Sequence, residues 1–128
     1  MGQWNLWFGW LGVLAGMVVG AVIGLKFADD HWLGGYPSWR RRMVRLGHIA
    51  FIGTGLLNIT YGLTVQSLQA VSGPGQAAGW LLIAGAIAMP LICFLSAWKP
   101  PIRHAFFIPV CCLVGGVGCQ IVAMSFKG

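Results

Sequence analysis

The charged residues of this chain are so few and so clustered that they leave four apolar stretches, each long enough to cross a bilayer. A hydrocarbon layer of roughly 30 Å takes about 20 predominantly apolar residues in an α-helix rising 1.5 Å per residue. With turn residues as separators, the stretches cover about 6–27, 43–65, 77–98 and 102–126. Only 8% of residues are charged while 58% are hydrophobic, too little polarity to clothe a water-facing surface. A soluble enzyme domain and a disordered tail are both excluded on that ground. The fold class predicted is an all-α integral membrane protein, a four-helix bundle with short loops in which residues 1–128 form one membrane domain.

Each connection carries its own turn chemistry. Gly34, Gly35 and Pro37 break the first, Ser72, Gly73, Pro74 and Gly75 the second, and Pro100 with Pro101 the third. The first, with Asp29, Asp30, His31, Trp32, Tyr36 and Trp39, is long enough for a short interfacial segment. The first apolar run is about twice a signal-peptide core and lacks a basic leader and a small-residue cleavage site, so it is expected to stay as a helix. Asn58-Ile59-Thr60 fits the glycosylation pattern but falls inside the second span, out of reach of that machinery.

Lys26, Arg40, Arg41, Arg42, Arg45, Lys99 and Arg103 lie at the first and third connections, and Lys127 alone falls on the other side. The excess of positive charge on cytoplasmic loops then predicts that both connections, with His31, His48 and His104, face the cytoplasm and both termini face away from it. Trp4, Trp7, Trp10, Trp80 and Trp98 sit near the predicted span ends, where amphipathic rings meet the headgroups.

Gly12, Gly16, Gly20 and Gly24 recur every four residues on the first helix, a stripe that lets another helix approach closely. Gly55 and Gly62 on the second helix and Gly115, Gly116 and Gly118 on the fourth extend the theme, and Pro90 predicts a kink in the third. Whether the stripe meets an internal neighbour or a second subunit is open at this level.

No carboxylate, lysine or arginine falls at the centre of a span, which weighs against proton-coupled and cation-exporting carriers. Phosphate loops, nucleophile motifs and spaced zinc-ligand pairs are absent from the sequence. The second span is the most polar. Thr54, Asn58 and Tyr61 share one side of it, placed either to bond to neighbouring helices or to line a polar path.

His48, in the second span, and His104, at the start of the fourth, fall at similar predicted depths. Two imidazoles on different helices at one depth are what axial ligation of a b-type haem requires, and the same pair is a candidate for quinone or metal binding. Arg45 and Arg103, with Arg41 and Arg42, are near enough in sequence to neutralise haem propionates. The plainer alternative is a self-satisfied His48 and an interfacial His104. Cys93, Cys111, Cys112 and Cys119 lie inside spans and read as small buried hydrophobes.

The function expected is a small non-catalytic membrane subunit or anchor of a larger respiratory or electron-transfer complex, holding a haem b or quinone near the cytoplasmic leaflet. A small oligomeric channel or carrier is the alternative. The partners implied are membrane lipids and other membrane subunits or further copies of the chain, with nucleic acid excluded.

Overall fold

A computed structural model describes residues 1–69 and 73–126. Ser72 and Lys127, assigned above to a turn and to the far side of the membrane, lie outside the described residues. Four α-helices account for most of the chain: α1 Gly2–Lys26, α2 Trp39–Leu68, α3 Gly73–Trp98 and α4 Phe107–Ser125. A 3-10 turn at Trp32–Gly34 lies between α1 and α2, and a 3-10 segment at Pro100–Phe106 leads into α4. The spans Gly2–Lys26, Trp39–Leu68, Gly73–Trp98 and Pro100–Ser125 are all long and apolar enough to cross a membrane. The protein is a four-helix, all-α bundle of multi-pass membrane type.

Helices α1, α2 and α3 begin earlier than the hydropathy pattern indicated, whereas α4 begins at Phe107, later than the predicted start at 102. Ser38 caps α2, its hydroxyl accepting from the Arg41 N–H at 3.2 Å, so the helix starts ahead of the arginines. Arg40, Arg41 and Arg42 therefore occupy the first turn of α2 instead of the preceding loop. Gly73, Pro74 and Gly75, assigned above to the second turn, form the first turn of α3, where a proline needs no intrahelical donor. The α3 helix runs unbroken through the buried Pro90. At the third connection Pro100 and Pro101 have no N–H to donate, and the chain winds as a tight 3-10 segment that carries His104 outside the α-helix proper.

Packing follows chain order. Helix α2 lies against α1 and α3, α3 lies against α2 and α4, and α1 meets α3 over a short stretch. The row leaves a cleft wherever two helices flank a third. One, of about 430 Å³, opens between α1 and α3 over Phe51 and Thr54 of α2. A smaller one, of about 180 Å³, opens between α2 and α4 over Leu82 of α3.

The α1–α2 seam is built from glycine on both sides. A β-carbon at Gly9 would lie 2.7 Å from the Gly55 carbonyl oxygen and 2.9 Å from the Ile59 nitrogen, and one at Gly62 would lie 2.7 Å from the Gly2 oxygen. Gly2, Gly9 and Gly16 are the buried glycines of α1, seven residues apart. They run antiparallel to Gly62, Gly55 and His48, which are also seven apart. Of the stripe at Gly12, Gly16, Gly20 and Gly24, Gly12 approaches the Phe51 carbonyl, Gly16 the Ile52 side chain and Gly20 the His48 ring, while a β-carbon on Gly24 would meet no neighbouring helix within 4 Å. Four residues turn a helix by about 400°, so a spacing of four drifts about 40° per step, and by Gly24 the stripe has rotated off its partner. A spacing of seven drifts by only about 20° and stays on the seam.

At the α3–α4 seam glycines face leucines. The Leu113 side chain fills the space over Gly85, and the Leu82 side chain lies over Gly116. Outward faces of the bundle carry large apolar residues, among them Trp4, Trp7, Trp10, Trp80 and Trp98, each more than half exposed.

Candidate functional site

Polar side chains inside the spans gather in two places. The first is a buried network at the half of the bundle nearer the termini. Asn58 on α2 donates from Nδ2 to the Thr54 carbonyl at 3.0 Å and to the Leu82 carbonyl of α3 at 3.1 Å. Its Oδ1 accepts from Asn5 Nδ2 of α1 at 2.7 Å, and the same Asn5 amide reaches the Gly79 carbonyl at 3.0 Å. Tyr61 donates to the Gly75 carbonyl at 2.6 Å, and Thr54 to the Ala50 carbonyl one turn back at 2.7 Å. Asn5 and Asn58 are both fully buried. Three helices are thus tied by amides whose alternative partner in lipid is nothing at all.

Of the two roles open to Thr54, Asn58 and Tyr61, the geometry gives Asn58 and Tyr61 bonds to α3. Asn5 was not singled out from the sequence. The signal was present, since Asn5 falls on the same helical face as Gly9, Gly12 and Gly16, but the hydropathy pattern began the helix one residue later.

The second place is His48. Its Nδ1 lies 2.8 Å from the Gly16 carbonyl of α1. A carbonyl can only accept, so Nδ1 carries a proton, and in the neutral ring the lone pair is then on Nε2. The ring rests on Gly20, where a β-carbon would fall 2.5 Å from Cε1. Gly55 and Gly62 share the His48 face, as their spacing predicts, but all three are turned toward α1. His104 is exposed, on the 3-10 segment that packs against α3 and α4. The structure therefore gives the two imidazoles different neighbours: α1 for His48, open surroundings for His104. Among the described residues no three His, Cys, Asp or Glu side chains cluster closely enough to hold a metal ion.

The arginines at the basic end divide by role. Arg41 is 2% exposed although it belongs to a run of three. Its guanidinium donates to the Phe27 carbonyl at 2.9 Å and to the Asp29 carbonyl at 3.4 Å, at the C-terminal end of α1, where the helix dipole favours a cation. The rings of Phe27, Trp32 and Tyr36 surround it, with centres 4.7, 5.6 and 5.5 Å from Cζ. Arg45 lies over the other side of this assembly, 4.5 Å from the Tyr36 ring centre. Arg103 lies 5.8 Å from the ring centre of Trp39, whose indole N–H donates to the Ser96 carbonyl of α3 at 2.7 Å. Of the arginines proposed above as propionate partners, Arg41, Arg45 and Arg103 thus rest on aromatic faces at the basic end, while Arg42 is exposed. Asp29 turns its carboxylate onto the His31 backbone N–H at 2.9 Å.

Cys93 is fully buried, Cys119 packs beside the cluster of Tyr61, Ala78 and Leu82, and Cys111 is exposed on the outside of α4. Comparison of the chain with known protein families, with curated proteins and with solved structures returns no match.

Proposed function

We propose that this protein is a small membrane-embedded subunit with no catalytic machinery of its own, packing laterally against larger partners of an electron-transfer complex and offering them His48. The observation that supports the reading is the tautomer of that imidazole. A histidine that ligates a metal or accepts from a quinol hydroxyl characteristically donates its other N–H to a carbonyl or carboxylate, which fixes the ring and leaves the second nitrogen basic. The Nδ1–H of His48 does this on Gly16.

For a haem, His48 supplies one axial nitrogen and the second comes from a partner chain, because His48 is turned onto α1 while His104 is exposed on the segment packed against α3 and α4. For a quinone, the same Nε2 accepts the hydroxyl of the reduced form. The basic end, with seven of the eight lysines and arginines, faces the cytoplasm on this reading and both termini face away. The competing reading is an oligomeric channel or carrier with a path along Thr54, Asn58 and Tyr61. It is disfavoured because those side chains already donate to carbonyls of their own bundle.

The test is extraction from the native membrane in mild detergent through a tagged copy. Stoichiometric co-purification of other membrane subunits is expected, with either a dithionite-reduced b-type α-band or bound quinone that is lost in His48→Ala. Recovery of the chain as a lone, colourless, quinone-free monomer would overturn the reading. Ion flux from proteoliposomes that falls in Asn58→Leu would replace it with the channel.

A further inference from the structure

A third cleft, of about 660 Å³, opens at the basic end between the start of α2 and the end of α3, walled by Leu33, Ser38, Trp39, Arg40, Trp98 and Pro100. The two tryptophans fix its level. Such rings settle among lipid headgroups, where phosphates are dense, and the exposed Leu91 and Leu95 continue the Trp98 side of α3 toward the hydrocarbon. Arg40 is the one charged residue in its wall. Other arginines of this end are engaged within the protein: Arg41 by carbonyls and rings, Arg45 by Tyr36 and Arg103 by Trp39. The Arg40 side chain is exposed instead, and among the described residues its guanidinium has no hydrogen-bond acceptor, carboxylate or ring. Water solvates an exposed arginine, so exposure alone selects nothing. The selection comes from the surroundings: Arg42, Lys99 and Arg103 are exposed at the same end, and no carboxylate lines the cleft. An anion is stabilised there, whereas an ammonium finds no partner.

We infer that this cleft binds the headgroup of an anionic phospholipid, with the Arg40 guanidinium on the phosphate oxygens, the glycerol against Trp98 and the acyl chains along Leu95 and Leu91. The planar fork of a guanidinium matches two oxygens of a phosphodiester. A choline or ethanolamine headgroup carries the same phosphate but brings a cation into a region that is already positive. The preference is therefore for a headgroup that ends in hydroxyls. A soluble phosphate offers the same oxygens and forgoes the contacts with Trp98 and the leucines, which is why a lipid is the occupant favoured. The site stands apart from any ligand of His48, whose ring is turned onto α1.

The inference can be tested on the full chain in phosphatidylcholine nanodiscs with trace amounts of two photoreactive lipids, phosphatidylglycerol and phosphatidylcholine, each carrying the same diazirine at the top of one acyl chain. Peptides containing residues 33–40 and 97–100 should take up the glycerol lipid about 5-fold more than the choline lipid, the preference conferred by about 1 kcal/mol for one arginine near a membrane surface. In Arg40→Gln the two lipids should label equally, at an unchanged thermal midpoint, since this guanidinium holds nothing in the fold. Arg42→Gln removes the same charge from the same helical turn but outside the cleft, and should keep most of the preference. Equal labelling of the wild type by both lipids would overturn the inference. So would equal losses in Arg40→Gln and Arg42→Gln, the mark of diffuse surface charge. Displacement of the glycerol lipid by millimolar inorganic phosphate at constant ionic strength would assign the cleft to a soluble anion and overturn it as well.

Discussion

The α1–α2 and α3–α4 seams face the same problem, joining apolar helices in a solvent as apolar as they are, and they resolve it differently. In the first, backbone meets backbone. Gly9 and Gly55 each occupy the space where the other's β-carbon would go, with carbonyl oxygens at 2.7 and 2.8 Å from those positions. In the second, a leucine side chain enters the hollow above a glycine, Leu113 over Gly85 and Leu82 over Gly116. Where Gly9 and Gly55 meet, the obstructing atoms include backbone, which cannot step aside, whereas a leucine can change rotamer. The first seam is also polar in part, since the Asn5–Asn58 bond crosses it. Glycine-rich seams that look alike in sequence therefore differ in tolerance in structure.

Substitutions can break or sharpen that contrast. The largest effect should come from Gly9→Ala or Gly55→Ala, where a methyl group meets backbone atoms and the helices must separate. Overpacking of this kind costs about 1–3 kcal/mol, and the upper end is expected here, read as a fall in thermal midpoint in detergent and as lost resistance to sodium dodecyl sulfate. A wild-type melt for either variant would show that the seam is not closed by backbone contact.

Next in size is Asn58→Leu, which leaves one Asn5 N–H without its acceptor in a dry interior. Interhelical hydrogen bonds in membranes average about 0.6 kcal/mol and reach about 1.7, so a loss of about 1–2 kcal/mol is expected once the orphaned partner is included. The double variant Asn5→Leu with Asn58→Leu should recover part of it, and strict additivity of the two single losses would show that the amides act independently.

A smaller loss, about 1 kcal/mol or less, is expected for Gly85→Ala, because the obstructing atoms are the far end of Leu113. Gly24→Ala and Gly118→Ala should be neutral or stabilising by up to about 1 kcal/mol, since nothing lies within 4 Å of either position and alanine is the better helix former. A melt lowered as far as that of Gly9→Ala would mean that these faces are covered by something beyond the bundle.

The four spans and the basic end were legible in the sequence because both follow from one-dimensional quantities, length of apolar run and sign of charge. Rotation about each helix axis was not, since neighbours set it and hydropathy is nearly uniform around a helix in lipid. How far along α1 the glycine stripe follows α2 depends on that rotation, and the four-residue spacing leaves the seam before Gly24. Arg41 illustrates the same limit from the polar side. Three consecutive arginines on a helix spread through about 200°, so one of them turns inward, and the structure selects the one that reaches the end of α1. His48 was legible as the one imidazole well inside a span. Its tautomer was not, because that depends on a carbonyl 32 residues away.

The surroundings of Arg41 carry a consequence for the behaviour of this end of the molecule under stress. The groups that receive its guanidinium are two main-chain oxygens and three ring faces, and no carboxylate takes part. Acidification removes nothing from such an arrangement, and salt has little open path to a group so deeply enclosed. The hold of Arg41 on the end of α1 should therefore persist through shifts in proton concentration or ionic strength that would loosen a carboxylate-based clasp.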